Sequence, residues 1–549
     1  MIKVKTLSHL AKVFPDRIFG EEISVILGAP NQELAYQVAL SGEGEYEMLI
    51  MSTIENLKFY KVGYVPSELP IYEGTEDDNY LTYKPGLFPD PLFPFDGKIT
   101  LKKGENQSIW VTIPRGNIAC AHKIVLSFAK NGKVEAQSEI EIGIELFELP
   151  EQDIYFTQWF HNDCIASVHG VEPLSEEHFA LIEKYMRLAS EHGMNLILTP
   201  VLTPPLDTAI GGERPTVQLV DITVNNGKYS FDFKNLIRYA NMARDCGIKH
   251  LEINHMFTQW GARNAPKVIA TVDGEKKQIF GWETDATSDE YKNFLGALIP
   301  ELISVLNSIG FERKDLFFHV SDEPSLDNIE QYRRVCNILS PLIEGCNQID
   351  AISNAEFYEQ GLIKTPVVGI NKVDYFMREQ ISGIWGYNCC AQSSVVSNRF
   401  FDMPSARNRI IGTQIFKYDL KGFLHWGYNF YYSQYSVRKD LDPYKETDAG
   451  KAFPSGDSFS VYPYGNDVIP SIRQKVFSYA LDDVRLLKLV ESKAGTLNTV
   501  RVINAAAGMD LSMTSYPRDE KFFERLYKGC FDLLWELKLA EEKRKKAND

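Results

Sequence analysis

From Asp153 onward the chain alternates short apolar runs with amphipathic stretches, and this alternation limits the fold more than any other feature. Residues 154–161 read as a strand. Residues 176–191 read as a helix, with Ser175 as N-cap and Gly193 past the C-terminus; 195–200 is the next strand. The rhythm continues with a helix near 232–246, a strand at 249–255, a helix at 288–309 and a strand at 316–320. Residues 326–343 read as helix, and 348–353, 366–370, 381–387 and 422–426 as further strands. Strands joined by crossover helices pair in parallel. Eight of them over about 340 residues suit a (β/α)8 barrel. Two long excursions interrupt the pattern: 201–231, with a hairpin turn at Asn225-Asn226-Gly227, and the loop 256–287. The charged tail 519–549 reads as an outer helix.

Residues 1–150 have a different period. Alternating runs at 23–27, 57–65, 108–113 and 139–146, separated by turns such as Asn131-Gly132, suggest a β-sandwich. The Pro-rich segment 85–94 is too poor in backbone donors for a central strand, and reads as a loop lying against the next domain. Leu149-Pro150-Glu151 serves as a linker. The expected fold class is therefore α/β, a (β/α)8 TIM barrel with C-terminal helices over 151–549, preceded by an N-terminal β-sandwich domain over 1–150. A chain of 549 residues needs more than one core in any case.

The net charge of −16 disfavours nucleic acid and anionic membranes as partners, since phosphate binding needs Lys and Arg. No stretch of about 18 apolar residues is present, so no membrane span is expected. The N-terminus lacks an apolar signal region, and the eight cysteines form no C-x-x-C motif. They read as reduced thiols, which points to a cytoplasmic location. The oligomeric state is left open, a homo-oligomer included.

In an α/β barrel the chemistry sits at the carboxyl ends of the strands. Those ends bring forward Trp159, His161 and Asp163; Arg214 in the first excursion; His255, Gln259 and Trp260; Asp322 and Glu323; Trp385 and Tyr387; and His425, Trp426 and Tyr428. Most are aromatic, amide or imidazole groups, a collection suited to a neutral polyol with apolar faces, although any one aromatic can equally be packing. No Gly-rich loop followed by Lys is there to hold phosphate. His161-x-Asp163 and Glu252-x-x-His255 offer metal ligands. However, His-x-His is missing, and Glu252 and His255 fall on opposite faces of an extended strand, so no metal and no other cofactor is expected. His319, mid-strand between Phe318 and Val320, reads as a hydrogen-bonded core residue.

The strand at 316–320 runs into two adjacent carboxylates and Pro324. Asp322 either caps the helix near Leu326 or belongs to a catalytic pair. Two carboxylates are the usual equipment for glycoside hydrolysis, but they come from different strands, about 5 Å or more apart. An adjacent Asp-Glu pair fits the substrate-assisted exception, in which the sugar's own 2-acetamido group is the nucleophile. The Glu then protonates the leaving oxygen, while the Asp aims the acetamido group and stabilises the oxazolinium charge.

Asp322-Glu323-Pro324 in its His-x-Ser-Asp-Glu-Pro context resembles glycoside hydrolase family 123. The likeness extends to 159–163, to Phe459-Ser460-Val461-Tyr462-Pro463, to Ile469-Pro470-Ser471-Ile472-Arg473 and to Asp482-Asp483-Val484-Arg485. The resemblance implies an exo-acting, retaining β-N-acetylhexosaminidase with GalNAc favoured, acting on an oligosaccharide or glycoconjugate through an oxazoline. It gives Glu323 the acid/base role and Asp322 the acetamido role. Trp385, Tyr387, Trp426 and Tyr428 become candidates for the sugar platform, and Arg473 a structural anchor. The alternatives are a glycosidase of other sugar specificity on the same scaffold and a catalytically silent carbohydrate-binding protein.

Overall fold

The structure, a computed structural model, describes residues 2–548. The alternation after Asp153 is realised as eight parallel strands in one sheet. They are β1 (Tyr155–Gln158), β2 (Leu196–Thr199), β3 (His250–Ile253), β4 (Leu316–Phe318), β5 (Asn347–Ile352), β6 (Thr365–Gly369), β7 (Trp385–Asn388) and β8 (Gly422–His425). Each pairs with its neighbour in sequence from β2 through β8, and β1 pairs with β8. At the remaining seam the Asn195 side chain acts as strand partner: its Oδ1 accepts from Phe156 N at 2.8 Å and its Nδ2 donates to Ile154 O at 2.9 Å. The sheet is therefore a nearly closed barrel. Among the helices that follow the strands, Glu176–Glu191 begins as its sequence requires, with Ser175 Oγ accepting from His178 N.

Side chains alternate along each strand, so inward residues stack in layers. Tyr155, His250, Phe317 and Trp385 form an aromatic floor at the amino end; Tyr155 lies 4.9 Å from Phe317 and 5.3 Å from Trp385 between ring centres. Gly422 is needed there, because a Cβ would stand 2.4 Å from the Trp385 ring. Two residues further along, Thr157, Glu252 and His319 make a polar layer.

Ahead of the barrel lie two five-stranded sheets. Tyr36, Val38, Ile109 and Val111 of one share an apolar cluster with Tyr46, Leu126, Phe128 and Ile142 of the other. The Pro-rich segment is not a loop: Gly86–Pro94 is an edge strand on Lys58–Ser67, where Pro89 and Pro91 interrupt no inner ladder. It does face the barrel region, since Asp90 accepts from Arg473 Nε and Nη2 at 2.9 and 2.8 Å and from Tyr462 Oη at 2.6 Å. Arg473 is the expected anchor.

Other bounds differ from the sequence reading. β1 stops at Gln158 because a helix, Asn162–His169, follows at once. β3 stops at Ile253, so His255 lies beyond it. The loop 256–287 carries the strands Val268–Val272 and Glu275–Phe280. These join Asp221–Asn225 and Lys228–Asp232 in a four-stranded sheet. The hairpin turn at Asn226 and Gly227 has positive φ at both residues, as that dipeptide demands. No helix among the described residues is long and apolar enough to cross a membrane.

Candidate active site

The chain leaves β4 through His319-Val320-Ser321-Asp322-Glu323-Pro324. Asp350 on β5 holds this exit, accepting from Val320 N at 3.1 Å, Ser321 N at 3.3 Å and the Tyr332 hydroxyl. On the other side Ser321 Oγ donates to Thr258 O at 2.7 Å, and Trp260 N donates to Asp322 O at 2.9 Å. Asp322 is thus a fixed element of the strand exit, not a helix cap. Glu323 has a left-handed φ of 44°, and its Oε1 accepts from Tyr387 Oη at 2.8 Å.

Across the opening, Asp207 (φ 41°) donates its N–H to Gln259 Oε1 at 2.8 Å and accepts from Tyr435 N at 3.1 Å. Trp260 and Tyr435 each have φ 58°, and their rings meet edge to face at 5.7 Å. Non-glycine residues held this way cost about 1–3 kcal/mol each and cluster where function requires the shape. Trp260, 43% exposed, offers an apolar plane beside the acids.

Asp322 keeps part of its surface open, yet burial, and then the neighbouring Glu323, push its carboxyl well above the usual range. Asp350 and Asp207 push the same way and His319 opposes them. Burial raises Asp207 to about 6. Below Asp322, His319 lies between Glu252 and Asp350. His255, which neither ring nitrogen links to a partner, stacks on His319 at 4.2 Å and 18°. The donor atoms of His255, His319 and Asp350 fall within 4.8 Å of one another. His319 and Asp350 are committed to hydrogen bonds, and near-parallel rings set their in-plane lone pairs side by side instead of converging. The group suits hydrogen bonding better than a metal. It also corrects the opposite-face argument: past the end of β3 the chain turns, and His255 and Glu252 both reach His319.

The sequence model of the glycoside hydrolase 123 catalytic domain matches residues 159–490. The chain belongs to glycoside hydrolase family 123. Among solved structures, a family 123 glycoside hydrolase from Clostridium perfringens, analysed for glycolipid glycan hydrolysis, matches over 100% of both chains at 13% identity with a TM-score of 0.72. This is a likeness of fold. A family 39 glycoside hydrolase from Bacteroides cellulosilyticus is far less similar, at 9% identity, 80% of each chain and a TM-score of 0.34. No curated protein sequence matches the chain.

In this hydrolase the residues drawn from strand ends separate into two groups. Tyr387 and Trp260 join Asp322 and Glu323 at the opening, and Gln259, buried, holds the backbone of Asp207 and Thr208 beside them. Trp426, half-buried, donates its Nε1–H to Asp457 Oδ2 at 2.8 Å, and its carbonyl meets His161 Nε2 at 2.9 Å. Trp385 is corrected: it is 1% exposed and belongs to the aromatic floor, two residues and one layer below Tyr387. Tyr428 is corrected too, being buried, stacked on Phe160 at 5.6 Å and bonded to Tyr185 O. His425 is buried and accepts from Arg399 Nη2 at 2.8 Å and Gly427 N at 3.0 Å, which makes it support for the Trp426 turn. Arg214 binds Asp163 through Nε and Nη2 at 2.8 and 2.7 Å and His161 Nδ1 at 3.1 Å, all buried. Those three clamp the loop after β2 to the helix after β1. Trp159, also buried, donates its Nε1–H to Glu252 Oε1 at 2.8 Å. The sequence reading passes over Asp207, Asp350 and Tyr435 as site residues and weighs Glu252 only as a metal ligand. For Glu252 and Asp350 the signal is present: each is an acid with an apolar residue on either side in a parallel strand.

Proposed function

We propose that this hydrolase is a retaining, exo-acting β-N-acetylhexosaminidase that favours terminal GalNAc and works through an oxazoline formed by the substrate's acetamido group. The glycan of a glycolipid or a related glycoconjugate is the substrate class, in keeping with what the Clostridium perfringens enzyme acts on. The observation that carries the reading is the pair itself: two carboxylates adjacent in sequence, Glu323 reoriented by its left-handed φ and held by Tyr387, Asp322 set deeper in the cleft. Neighbours in sequence do not flank a sugar ring from two sides, so the attacking group comes from the substrate. Glu323 delivers the proton to the leaving oxygen; Asp322 receives the acetamido N–H and stabilises the cationic ring. Trp260 stacks under an apolar sugar face. The two N-terminal sheets constitute a β-sandwich domain, with the domain boundary near 150. All eight cysteines are unpaired, which supports a reducing compartment such as the cytoplasm; cell fractionation checks this.

A second reading has its own observation. Asp207 comes from the loop that follows a different strand, β2, and two-carboxylate glycosidases draw their acids from different strand ends in this way. Inhibition by a thiazoline mimic of the oxazoline tests the choice. Tight inhibition supports the acetamido mechanism, and its absence, together with loss of turnover in Asp207→Asn, transfers the second role to Asp207.

A further inference from the structure

Beneath the acidic pair the hydrolase buries three ionisable groups in a row that substrate does not need to touch. His319 Nε2 lies 2.6 Å from Glu252 Oε1, and its Nδ1 lies 3.1 Å from Asp350 Oδ1. A neutral imidazole has one donor and one acceptor, and an acceptor nitrogen facing a carboxylate oxygen at this range is repulsive. A proton on either carboxyl would have only the ring nitrogen it faces as acceptor, because each carboxyl already receives two or more other donors. Glu252 already receives Trp159 Nε1–H at 2.8 Å and Thr157 Oγ1–H at 2.5 Å. Asp350 already receives the Val320 and Ser321 amides and the Tyr332 hydroxyl. Between two carboxylates, the donor count closes only if both ring nitrogens carry protons.

We propose that His319, clamped between Glu252 and Asp350, is a positioning residue of the catalytic pair: a permanent imidazolium that fixes the strand exit and supplies the single positive charge beneath Asp322. The positional part follows from Asp350, which holds His319 with one side and the two amides before Asp322 with the other. The electrostatic part follows from the neighbours. Asp322 is faced by Glu323, Asp350 and Asp207, all acidic, and by His319 as the one cation among them. His319 is faced by Glu252, Asp350, Asp322 and the stacked His255, whose ring burial, and then the His319 charge, keep neutral. Burial works against the His319 cation, but the bonds to Asp350 and Glu252 outweigh it and raise its pKa to about 9. The assignment of roles rests on Asp322-Glu323 being the catalytic pair; the ionisation of His319 does not.

Nitrogen-15 spectra of histidine-labelled full-length protein test the ionisation directly, with the His319 resonances assigned by their loss in His319→Gln. Both ring nitrogens are expected to stay protonated from pH 5 to 8. A neutral tautomer at pH 7, or a stoichiometric bound metal found by elemental analysis, overturns the proposal. Kinetics of Glu252→Gln and His319→Gln test the positioning. We expect kcat to fall about tenfold or more with KM changed less than about threefold. In His319→Gln, loss of the cation raises the pKa of Asp322, so the acidic limb of the kcat profile moves to higher pH. An unmoved limb with uniformly reduced activity marks a structural role only and overturns the electrostatic part. Silence of the wild type on aryl glycosides counts against the proposed activity, and the nitrogen-15 result still decides the ionisation.

Discussion

At Asp207 the enclosed carboxyl ionises later in the folded protein than in the unfolded chain, about 6 against about 3.9. A folded-state pKa raised in this way means that stability is lost as pH rises through that window. Asp207→Asn keeps an acceptor for Tyr435 N and removes the charge. Its Tm is therefore expected to match the wild type near pH 4, to exceed it increasingly up to pH 6 and to level off above; thermal melts across pH check this. Asp322→Asn is expected to gain stability at neutral pH for the same reason while losing turnover. Glu323→Gln should lose kcat by about 10²–10⁴-fold with leaving groups that need protonation. Nitrophenyl and methyl aglycones compared side by side measure it, since the loss shrinks with the better leaving group. The pair itself was legible in the sequence because two acids and a proline end an apolar run. Glu252 and Asp350 were equally visible as acids flanked by apolar residues in strands. Tyr435 was not, because its place comes from a loop fold that no local pattern encodes.

At the scale of elements, β4 is three residues long and shares only two paired positions with β5, Phe317 with Asn347 and Phe318 with Gln348. The Asp350 side chain takes over where that ladder stops. Asp350→Ala removes the acceptor of two amides and leaves His319 charged beside one carboxylate. Breaking a buried ion pair from one side costs about 3–5 kcal/mol, and denaturant unfolding should show a loss of that order. The elements most legible in the sequence were those with local punctuation: the helix after Ser175 and the turn at Asn226-Gly227. Those missed depend on tertiary pairing. Val268–Val272 becomes a strand because Asp221–Asn225 lies beside it. Trp385 and Tyr387 share a strand face, so alternation alone does not tell which of the two layers reaches the cleft; the packing of Trp385 against Tyr155 and Phe317 places it in the floor.

At the scale of the molecule, the N-terminal sheets are tied to the barrel region by buried ionic contacts. Asp90 holds Arg473, and Lys475 reaches Glu33 at 2.8 Å. The C-terminal helix Lys521–Asn548 adds to this, with Tyr527 bonded to both Gln32 and Asp483. Calorimetry is expected to show one cooperative transition, and Arg473→Met to lower its temperature or divide it in two. The net charge of −16 and the exposed Trp260 beside an acidic cleft are consistent with a neutral glycan as ligand. The most direct test of the whole account is nitrophenol release from β-GalNAc and β-galactose glycosides, with wild type and Glu323→Gln in parallel. Hydrolysis of the N-acetyl sugar alone is expected, with that activity reduced in the variant. Comparable hydrolysis of the galactoside, which lacks the acetamido group, would contradict it.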